Sequence, residues 1–240
     1  MVNEDLRPSA ILTPQAFENA VMAGLALSAS INLVRHLQAI AAEARCPVDI
    51  YELYDRLGPK IPLLAAVRPN GETRIEELEA AGGTLGVMKR LGALIHRDAL
   101  TVSGRTWGTE IDVAPEAGAV IRTVDNPISR KPSVIVMRGN LAPEGSILKV
   151  GDAGAKQSLF EGKALVFTSQ EEALAALKAG RLVRGTVAVL AGMGCRGGPG
   201  MALASGFVAA VDGAGLSTMV AVITDGQLSG LNRGIAIGQV

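Results

Sequence analysis

The chain has 240 residues, enough for one large domain or two small ones, each with a buried core. Its 23 basic residues balance 23 acidic ones, which excludes a strong general attraction to nucleic acid or to an anionic membrane surface. We therefore expect a small-molecule ligand and no nucleic-acid or membrane partner. The low aromatic content of 3%, with 29 glycines, is typical of α/β proteins.

Cysteine usage and the N-terminal sequence indicate a cytoplasmic protein. Cys46 and Cys195 are too few for a disulfide framework, and neither has the spacing of a metal ligand. The first ten residues lack the basic and apolar regions of a signal peptide. The apolar runs also fall short of the roughly 18 residues that a membrane-spanning helix needs.

Helical patterns dominate the first part of the chain. Thr13 is a suitable helix cap and Pro14 suits the first helical position. Phe17, Val21 and Leu25 then recur at every fourth residue, as on one face of a helix. We predict helices over residues 13–44 with a break at 28–30, over 48–57, and over 74–91 with an interruption at 82–83, and a buried strand over 63–67.

Beyond about residue 112 the pattern becomes β-rich, with short apolar runs between Gly, Pro and Asn turns. We predict strands over residues 119–124, 133–138, 146–150, 164–168, 186–190 and 220–223, and a helix over 170–179. A compact barrel or a mixed sheet would fit this pattern. We place the domain boundary between Ala114 and Pro115, which gives domains 1–114 and 115–240 in an α/β protein.

The glycine-rich run AGMGCRGGPGM, residues 191–201, follows a predicted strand and precedes a predicted helix that begins near Ala202. Converging backbone N–H groups and a helix N-terminus can together bind a carboxylate or a phosphate. Gly197, Gly198 and Gly200 are the candidates for such an anion site. A tight turn required only for packing is the alternative.

Two nucleotide-binding templates overlap this run. Gly192, Gly194 and Gly197 match the spacing GxGxxG, and Asp212 lies at the distance of the acidic residue that contacts a ribose. The match is weak in a chain with so many glycines. A P-loop is excluded, because Gly198 and Pro199 stand where Lys and Ser or Thr are required.

The stretch VITDGQLSGLNRG, residues 222–234, presents a serine on a glycine-rich loop directly after an apolar strand. A serine hydroxyl acts as a base or a nucleophile only where a metal, a cation or N–H groups stabilise its alkoxide. Ser229 is the candidate for that role, and a serine that hydrogen-bonds within its own turn is the alternative. His36 is predicted to be a core histidine and His96 to lie in a loop, so no triad or metal cluster is evident.

Several segments together resemble the dihydroxy-acid dehydratase and phosphogluconate dehydratase family, which includes sugar-acid dehydratases. They occur in the family's order and extend over nearly the whole chain. The segments are RPSAILTPQAFENA (7–20), INLVRHLQAIA (31–41), DNPIS and RGNLAPEGSILK (within 125–149), GGPGM (197–201), and ITDGQLSG with RG (within 223–234).

The resemblance implies a hydro-lyase of amino-acid biosynthesis or sugar-acid metabolism that converts a 2,3-dihydroxy acid to a 2-keto acid. In the family an iron–sulfur cluster takes the leaving hydroxyl, a magnesium (Mg) ion holds the substrate carboxylate, and the motif serine, here Ser229, is the proposed base. We assign Gly197, Gly198, Gly200, Asp225 and Gly230 to substrate binding on the same motifs. The fold implied is the C-terminal part of an α/β cluster-type domain, followed by an incomplete, swivelling β-barrel-like domain.

The sequence departs from the family's pattern where metal ligands are concerned. The family's cluster cysteines precede the ILT segment, and neither Cys46 nor Cys195 matches a ligand position. Leu203 stands where the family has an acidic magnesium ligand, and Gln227 where it has a basic residue. The family's GGSTN is SASIN here, at residues 28–32.

Three explanations fit these departures: a fragment of a longer chain, one subunit of a split dehydratase, or a non-catalytic relative that binds an acid or a partner protein. Helices that pack against a missing sheet would expose apolar stripes such as Phe17, Val21 and Leu25, and exposed stripes drive association. We therefore expect a homodimer or a complementary subunit. A dinucleotide-binding oxidoreductase is a further alternative.

Overall fold

The computed structural model describes residues 5–150, 159–195, 203–228 and 234–240. The chain divides into two compact units, Met1–Ala29 with Leu33–Ser133 and Ser30–Asn32 with Val134–Val240. The order of helices followed by a β-rich region confirms the predicted fold class. The assignment of domains to 1–114 and 115–240 stays a prediction. In the described part, the helices are too short or too polar to cross a membrane.

The first unit is built from helices whose ends follow the sequence signals. Thr13 Oγ1 accepts a hydrogen bond from Ala16 N, and Pro14 occupies the first helical position. Ser28 has a left-handed φ of 49°, which ends the helical path at the predicted break. The helices are α1 (Pro8–Ile11), α2 (Pro14–Ala26), α3 (Asn32–Glu43), α4 (Ile50–Leu57), α5 (Ile75–Ala80), α6 (Gly83–Leu91) and α7 (Trp107–Val113), with a 3-10 turn at Gly92–Leu94.

Two sequence expectations about the helical surfaces are wrong. Phe17, Val21 and Leu25 on α2 are at most 2% exposed, because α2 packs against α4 and α6 within its own unit. This stripe therefore provides no surface for a partner. His36 is not a core residue either, because its position on α3 faces solvent.

Two segments predicted as strands have irregular backbones. Residues 63–67 form only isolated bridges at Leu63 and Val67, and the N–H groups of Leu64 and Ala65 donate to the carbonyl of Ala26 at the end of α2. Residues 119–124 form turns and bends, in which Arg122 N donates to Leu64 O. Residues 63–66 are buried in the core beside the helices, whereas in 119–124 only Ile121 is buried. In both segments these N–H groups find carbonyl acceptors without a strand ladder.

Glu18 links three elements of the first unit. Its carboxylate accepts hydrogen bonds from Arg56 Nη2 at 2.6 Å and from His96 Nε2 at 2.7 Å. Its neighbour Asn19 exchanges hydrogen bonds with both backbone groups of His96, so the predicted loop at His96 is fixed to α2. Burial raises the pKa of Glu18, but the hydrogen bonds from His96 and Arg56 outweigh burial and hold that pKa below its usual value.

We expect Glu18→Gln to destabilise the chain at pH 7 by about 1 to 2 kcal/mol, because the charged acceptor of two hydrogen bonds is lost. Since the folded-state pKa is lowered, this stabilisation is present above the unfolded pKa of about 4.3 and disappears as the pH falls through the folded pKa. Urea unfolding at pH 7 and in acid measures the difference. The exposed Glu76→Gln is the matched control, and equal effects of the two variants at pH 7 would contradict the prediction.

The second unit contains a six-stranded mixed sheet in the order β1-β2-β6-β5-β4-β3. The strands are β1 (Val134–Met137), β2 (Ser146–Lys149), β3 (Lys163–Phe167), β4 (Thr186–Leu190), β5 (Val220–Thr224) and β6 (Ile235–Gly238). Strands β3 to β6 are parallel, whereas β2 pairs antiparallel with both β1 and β6. Among the described residues β1 and β3 are edge strands, so the sheet is open rather than the closed barrel of the alternative prediction.

Two helices connect the parallel strands. They are α8 (Gln170–Lys178), which lies between β3 and β4, and α9 (Leu203–Gly213), which lies between β4 and β5. They pack against each other, and the rings of Phe167 and Phe207 meet in the core with centroids 6.5 Å apart. These crossovers place the carboxyl ends of all four parallel strands at one edge of the sheet.

Candidate functional site

The loops that follow β4 and β5 lie side by side at the carboxyl edge of the parallel strands. Leu190 and Thr224, the last residues of these strands, are partners in the ladder. The loop after β4 leads into the glycine-rich run, and the loop after β5 leads to Ser229. Ligands of open α/β sheets bind outside this edge, so the two loops define the candidate site.

The side chain of Asp225 joins the two loops directly. Its Oδ1 accepts a hydrogen bond from Met193 N at 2.9 Å, and its Oδ2 accepts one from Gly194 N at 3.1 Å. Hydrogen bonds to an ionised acceptor are about twice as strong as neutral ones. Two amides in the first part of the run predicted to bind an anion thus bind a carboxylate of the chain itself.

Glycine is required where the loops approach most closely. A Cβ atom on Gly226 would lie 2.8 Å from Met193 Cβ and 3.0 Å from Met193 O, too close for the atoms to coexist without a shift of the backbone. A Cβ atom on Gly194 would lie 3.1 Å from Asp225 Oδ2. The spacing between the loops is therefore set by the absence of two side chains.

Hydrogen bonds from β5 and from the end of the chain fix the start of the loop that follows β5, here called the motif loop. Gly226 N donates to Thr224 Oγ1 at 3.0 Å, and Gly226 O accepts from Gln239 N at 3.0 Å. Gln239 has a left-handed φ of 61°, and its buried amide donates to Ile31 O at 3.1 Å. The loop after β5, the end of β6 and the short segment around Ile31 thus form one connected structure within the second unit.

Two buried acceptors at this site have no partner in the part of the chain that the structure describes. They are the side-chain oxygens of Gln227 and Asn32. Gln227 lies in the motif loop, and Ile31 beside Asn32 approaches Gly238, where a Cβ atom would also meet Gly226 O. A buried acceptor without a donor is costly, so each of these oxygens is a candidate to accept a hydrogen bond from a ligand or from a residue outside the described ranges.

Models of two dehydratase domains match the chain. The dihydroxy-acid/6-phosphogluconate dehydratase N-terminal model matches residues 1–110, and the C-terminal model of the same name matches residues 119–240. The C-terminal match alone extends over half of the chain. The chain belongs to the dihydroxy-acid/6-phosphogluconate dehydratase family.

Curated members of this family match the chain over its whole length. A protein named dihydroxy-acid dehydratase from Pyrococcus furiosus is 43% identical over 243 residues, and one from Ignicoccus hospitalis is 42% identical over 243 residues. A dihydroxy-acid dehydratase from Geobacter sulfurreducens is 42% identical over 241 residues. In each case all of this chain is matched but only 43 to 44% of the relative, so the chain spans less than half the length of the relatives it matches.

Of the site residues predicted for this dehydratase-family chain, the structure describes Asp225. Its substrate-binding role stays a prediction, and its contacts are the two amides given above. The other predicted residues lie outside the described residues: Ser229, Gly197, Gly198, Gly200 and Gly230. Asp212, the acidic residue of the dinucleotide template, lies near the end of α9 rather than at the carboxyl end of a strand, which the template requires.

The described residues do not fit the iron–sulfur cluster and the Mg ion that the family resemblance implies. Within residues 5–150, 159–195, 203–228 and 234–240, three or more His, Cys, Asp or Glu side chains nowhere form a cluster. Cys46 and Cys195 belong to different units, and burial raises the pKa of the Cys46 thiol, which disfavours the thiolate. Each oxygen of Asp225 already accepts a backbone N–H.

Two supports of the site, Gln239 and Thr224, were not predicted from the sequence. The threonine precedes Asp225 in the quoted motif, so its position was visible, although its hydrogen bond to Gly226 N was not. Gln239 offered no signal, because neither its left-handed backbone nor its contact with Ile31, 208 residues away, follows from local sequence.

Proposed function

We propose that the chain is part of a hydro-lyase that removes water from a 2,3-dihydroxy acid or a sugar acid to give a 2-keto acid. The principal support is the match of the whole chain, at 42 to 43% identity, to proteins named dihydroxy-acid dehydratase. The described starts of the loops after β4 and β5, which lead along the chain to the proposed residues, also meet at the carboxyl edge of the parallel strands. That edge is where α/β folds place their ligands.

In the proposed reaction the C2–H bond and the C3–O bond of the substrate break. Ser229, as its alkoxide, takes the C2 proton, and the electron pair of the C–H bond forms the C2–C3 double bond while the C3 hydroxyl leaves as hydroxide. The hydroxide takes the proton back from the Ser229 hydroxyl, which gives water and restores the alkoxide. The resulting enol takes a proton at C3 and loses the proton of its C2 hydroxyl, which gives the 2-keto acid. Positioned general bases typically contribute about 10²- to 10⁴-fold to such a step.

The orphan acceptors at the site support a substrate with hydroxyl groups. The side-chain oxygens of Gln227 and Asn32 are buried and lack a donor in the described part of the chain. A 2,3-dihydroxy acid presents two O–H donors and a carboxylate. We propose that these oxygens accept substrate hydroxyls, while Gly197, Gly198, Gly200 and Gly230 contribute backbone N–H groups toward the carboxylate.

We also propose that the metal ligands for the reaction come from another part of the polypeptide or from a complementary chain. These 240 residues contain two cysteines, and a cluster held by cysteine thiolates needs more. A metal acting as a Lewis acid would aid loss of the poor hydroxide leaving group. A homodimer or a complementary subunit is the assembly that we propose.

The alternative function is a non-catalytic subunit of the same family that binds the acid or a partner protein. Leu203 supports it, since this residue stands where the family resemblance implies an acidic magnesium ligand. A catalytic subunit should convert the acid to a 2-keto acid in the completed assembly, whereas a binding subunit should only bind the acid.

Formation of a 2-keto acid tests the proposed function. The protein, assembled anaerobically with iron, sulfide, Mg and the chain that provides the missing ligands, is given glycerate, the simplest 2,3-dihydroxy acid, or gluconate, a sugar acid. We expect keto acid to accumulate and to form more slowly from substrate deuterated at C2. Lactate, which lacks the C3 hydroxyl, is the control and should give no product. Binding of these acids by calorimetry without any keto acid would favour the alternative.

A further inference from the structure

The carboxylate of Asp225 is placed to hold two functional loops together. It lies directly after β5 and four residues before Ser229, and its partners Met193 and Gly194 lie in the first part of the glycine run. We infer that Asp225 is a positioning residue, which fixes the loop of Ser229 against the loop of the glycine run without contacting the substrate. This inference rests on the proposed function and names the role of a residue within the same site.

The hydrogen bonds account for the choice of an aspartate. Two successive backbone N–H groups converge on one carboxylate, with one bond to each oxygen. An asparagine in the same place offers a single acceptor oxygen, so one amide would face an NH₂ group instead. An alanine would leave both amides without their acceptor.

Packing around the carboxylate makes the contact specific. Met193 and Gly226 approach so closely that a Cβ atom on the glycine would lie 2.8 Å from Met193 Cβ. Asp225 is half-buried, and the backbone on either side of it is fixed by Thr224 and by Gln239. The carboxylate therefore joins the loops at a fixed separation rather than through a flexible surface contact.

A positioning role and a substrate-binding role predict different kinetics. If Asp225 orients the loop of Ser229, its loss should lower kcat, because small displacements of a catalytic group cost about 10²-fold in rate. If it bound the substrate equally in the ground and transition states, its loss should raise KM and leave kcat unchanged. A residue that only stabilises the fold should alter neither value in the folded fraction.

The experiment compares Asp225→Ala and Asp225→Asn with the wild type in the assembled protein, with and without added formate. For Asp225→Ala we expect a decrease in kcat of about 10²-fold with little change in KM. Formate, a free carboxylate of the right size, should occupy the vacated position and restore most of kcat, whereas chloride at equal ionic strength should not. Asp225→Asn should be intermediate, and it keeps the test available if the alanine variant folds poorly.

A second readout does not depend on activity. Amide hydrogen exchange at Met193 and Gly194 should accelerate in Asp225→Ala and slow again when formate is added. Gly226→Ala should lower kcat in the same way by forcing the loops apart, and formate should not rescue it. Gly213→Ala is the control glycine, because a Cβ atom there has open space.

Unchanged exchange at both amides, or a raised KM with unchanged kcat in Asp225→Ala, would overturn the inference. The proposed function fails separately, if the wild-type assembly makes no keto acid. In that event the exchange rates of the Met193 and Gly194 amides, measured with and without formate, still decide whether the carboxylate holds the loops together.

Discussion

Replacement of Ser229 by alanine is expected to lower kcat for keto-acid formation by about 10²- to 10⁴-fold, the usual contribution of a positioned general base. The expectation follows from the proposed removal of the C2 proton by Ser229, which alanine cannot perform. KM should change little, since the hydroxyl is proposed to act on the reacting hydrogen rather than to hold the acid. Steady-state kinetics of the assembled protein with glycerate or gluconate measure both constants.

Thr218→Ala is the matched control for Ser229→Ala. It also removes one hydroxyl, but from an exposed turn before β5, at the edge of the sheet opposite the site. We expect it to retain the wild-type kcat. Full activity of Ser229→Ala would refute the assignment of the base, and an equal loss in both variants would indicate general damage to the fold.

Phe207→Ala is expected to destabilise the protein by about 3 to 5 kcal/mol, the usual cost of truncating a buried phenylalanine. The side chain is 0% exposed, and its ring meets that of Phe167 at the end of β3. It also lies in α9, the helix that follows the glycine run, so the same packing supports the site. Urea unfolding of the variant and the wild type measures the loss.

The control for Phe207→Ala is Val183→Ala, at a side chain that is 60% exposed. Substitutions on the surface usually change stability by less than about 0.5 kcal/mol. If Phe207→Ala also lowered the free energy of unfolding by less than that value, α9 would not pack on the sheet as described. Loss of keto-acid formation by folded Phe207→Ala would in turn indicate that α9 supports the site.

The regular elements were predictable because their signals are local. The cap at Thr13 with Pro14, the break near Ser28 and the interruption at Gly82 each specify a backbone geometry within a few residues. Five of the predicted strands match β1 to β5 closely, because short apolar runs between glycine turns form strands in this unit. The short strand β6 was not predicted, since its four residues directly follow the motif loop.

The two wrong strand assignments show where local patterns fail. Residues 63–67 are as apolar as a buried strand and 119–124 contain a short β-branched run, but a strand also needs a neighbouring ladder. Here Leu64 donates to Ala26 and Arg122 donates to Leu64, so the segments satisfy each other and the end of α2 instead. Burial followed from composition at 63–66 but not at 119–124, where only Ile121 is buried, and the hydrogen-bond partners were not predictable in either segment.

The site was predictable in part for the same reason. The motif around Asp225 identified the loop, and the strand before it identified the edge of the sheet. The bonds from Asp225 to Met193 and Gly194 join residues 32 and 31 positions apart, and no local pattern specifies such a pair. The prediction of an anion site at Gly197, Gly198 and Gly200 stays a prediction, because these residues lie outside the described residues.

We propose that this chain provides the loops of the reaction and that the thiolates for a metal cluster come from elsewhere. Iron and sulfide content of the 240-residue chain, reconstituted anaerobically on its own and then gel-filtered, tests this claim most directly. We predict no stoichiometric iron–sulfur cluster in the isolated chain, and a cluster only when a chain with the missing ligands is added. A stoichiometric cluster that the isolated chain binds through Cys46 and Cys195, and that Cys195→Ser abolishes, would contradict the account.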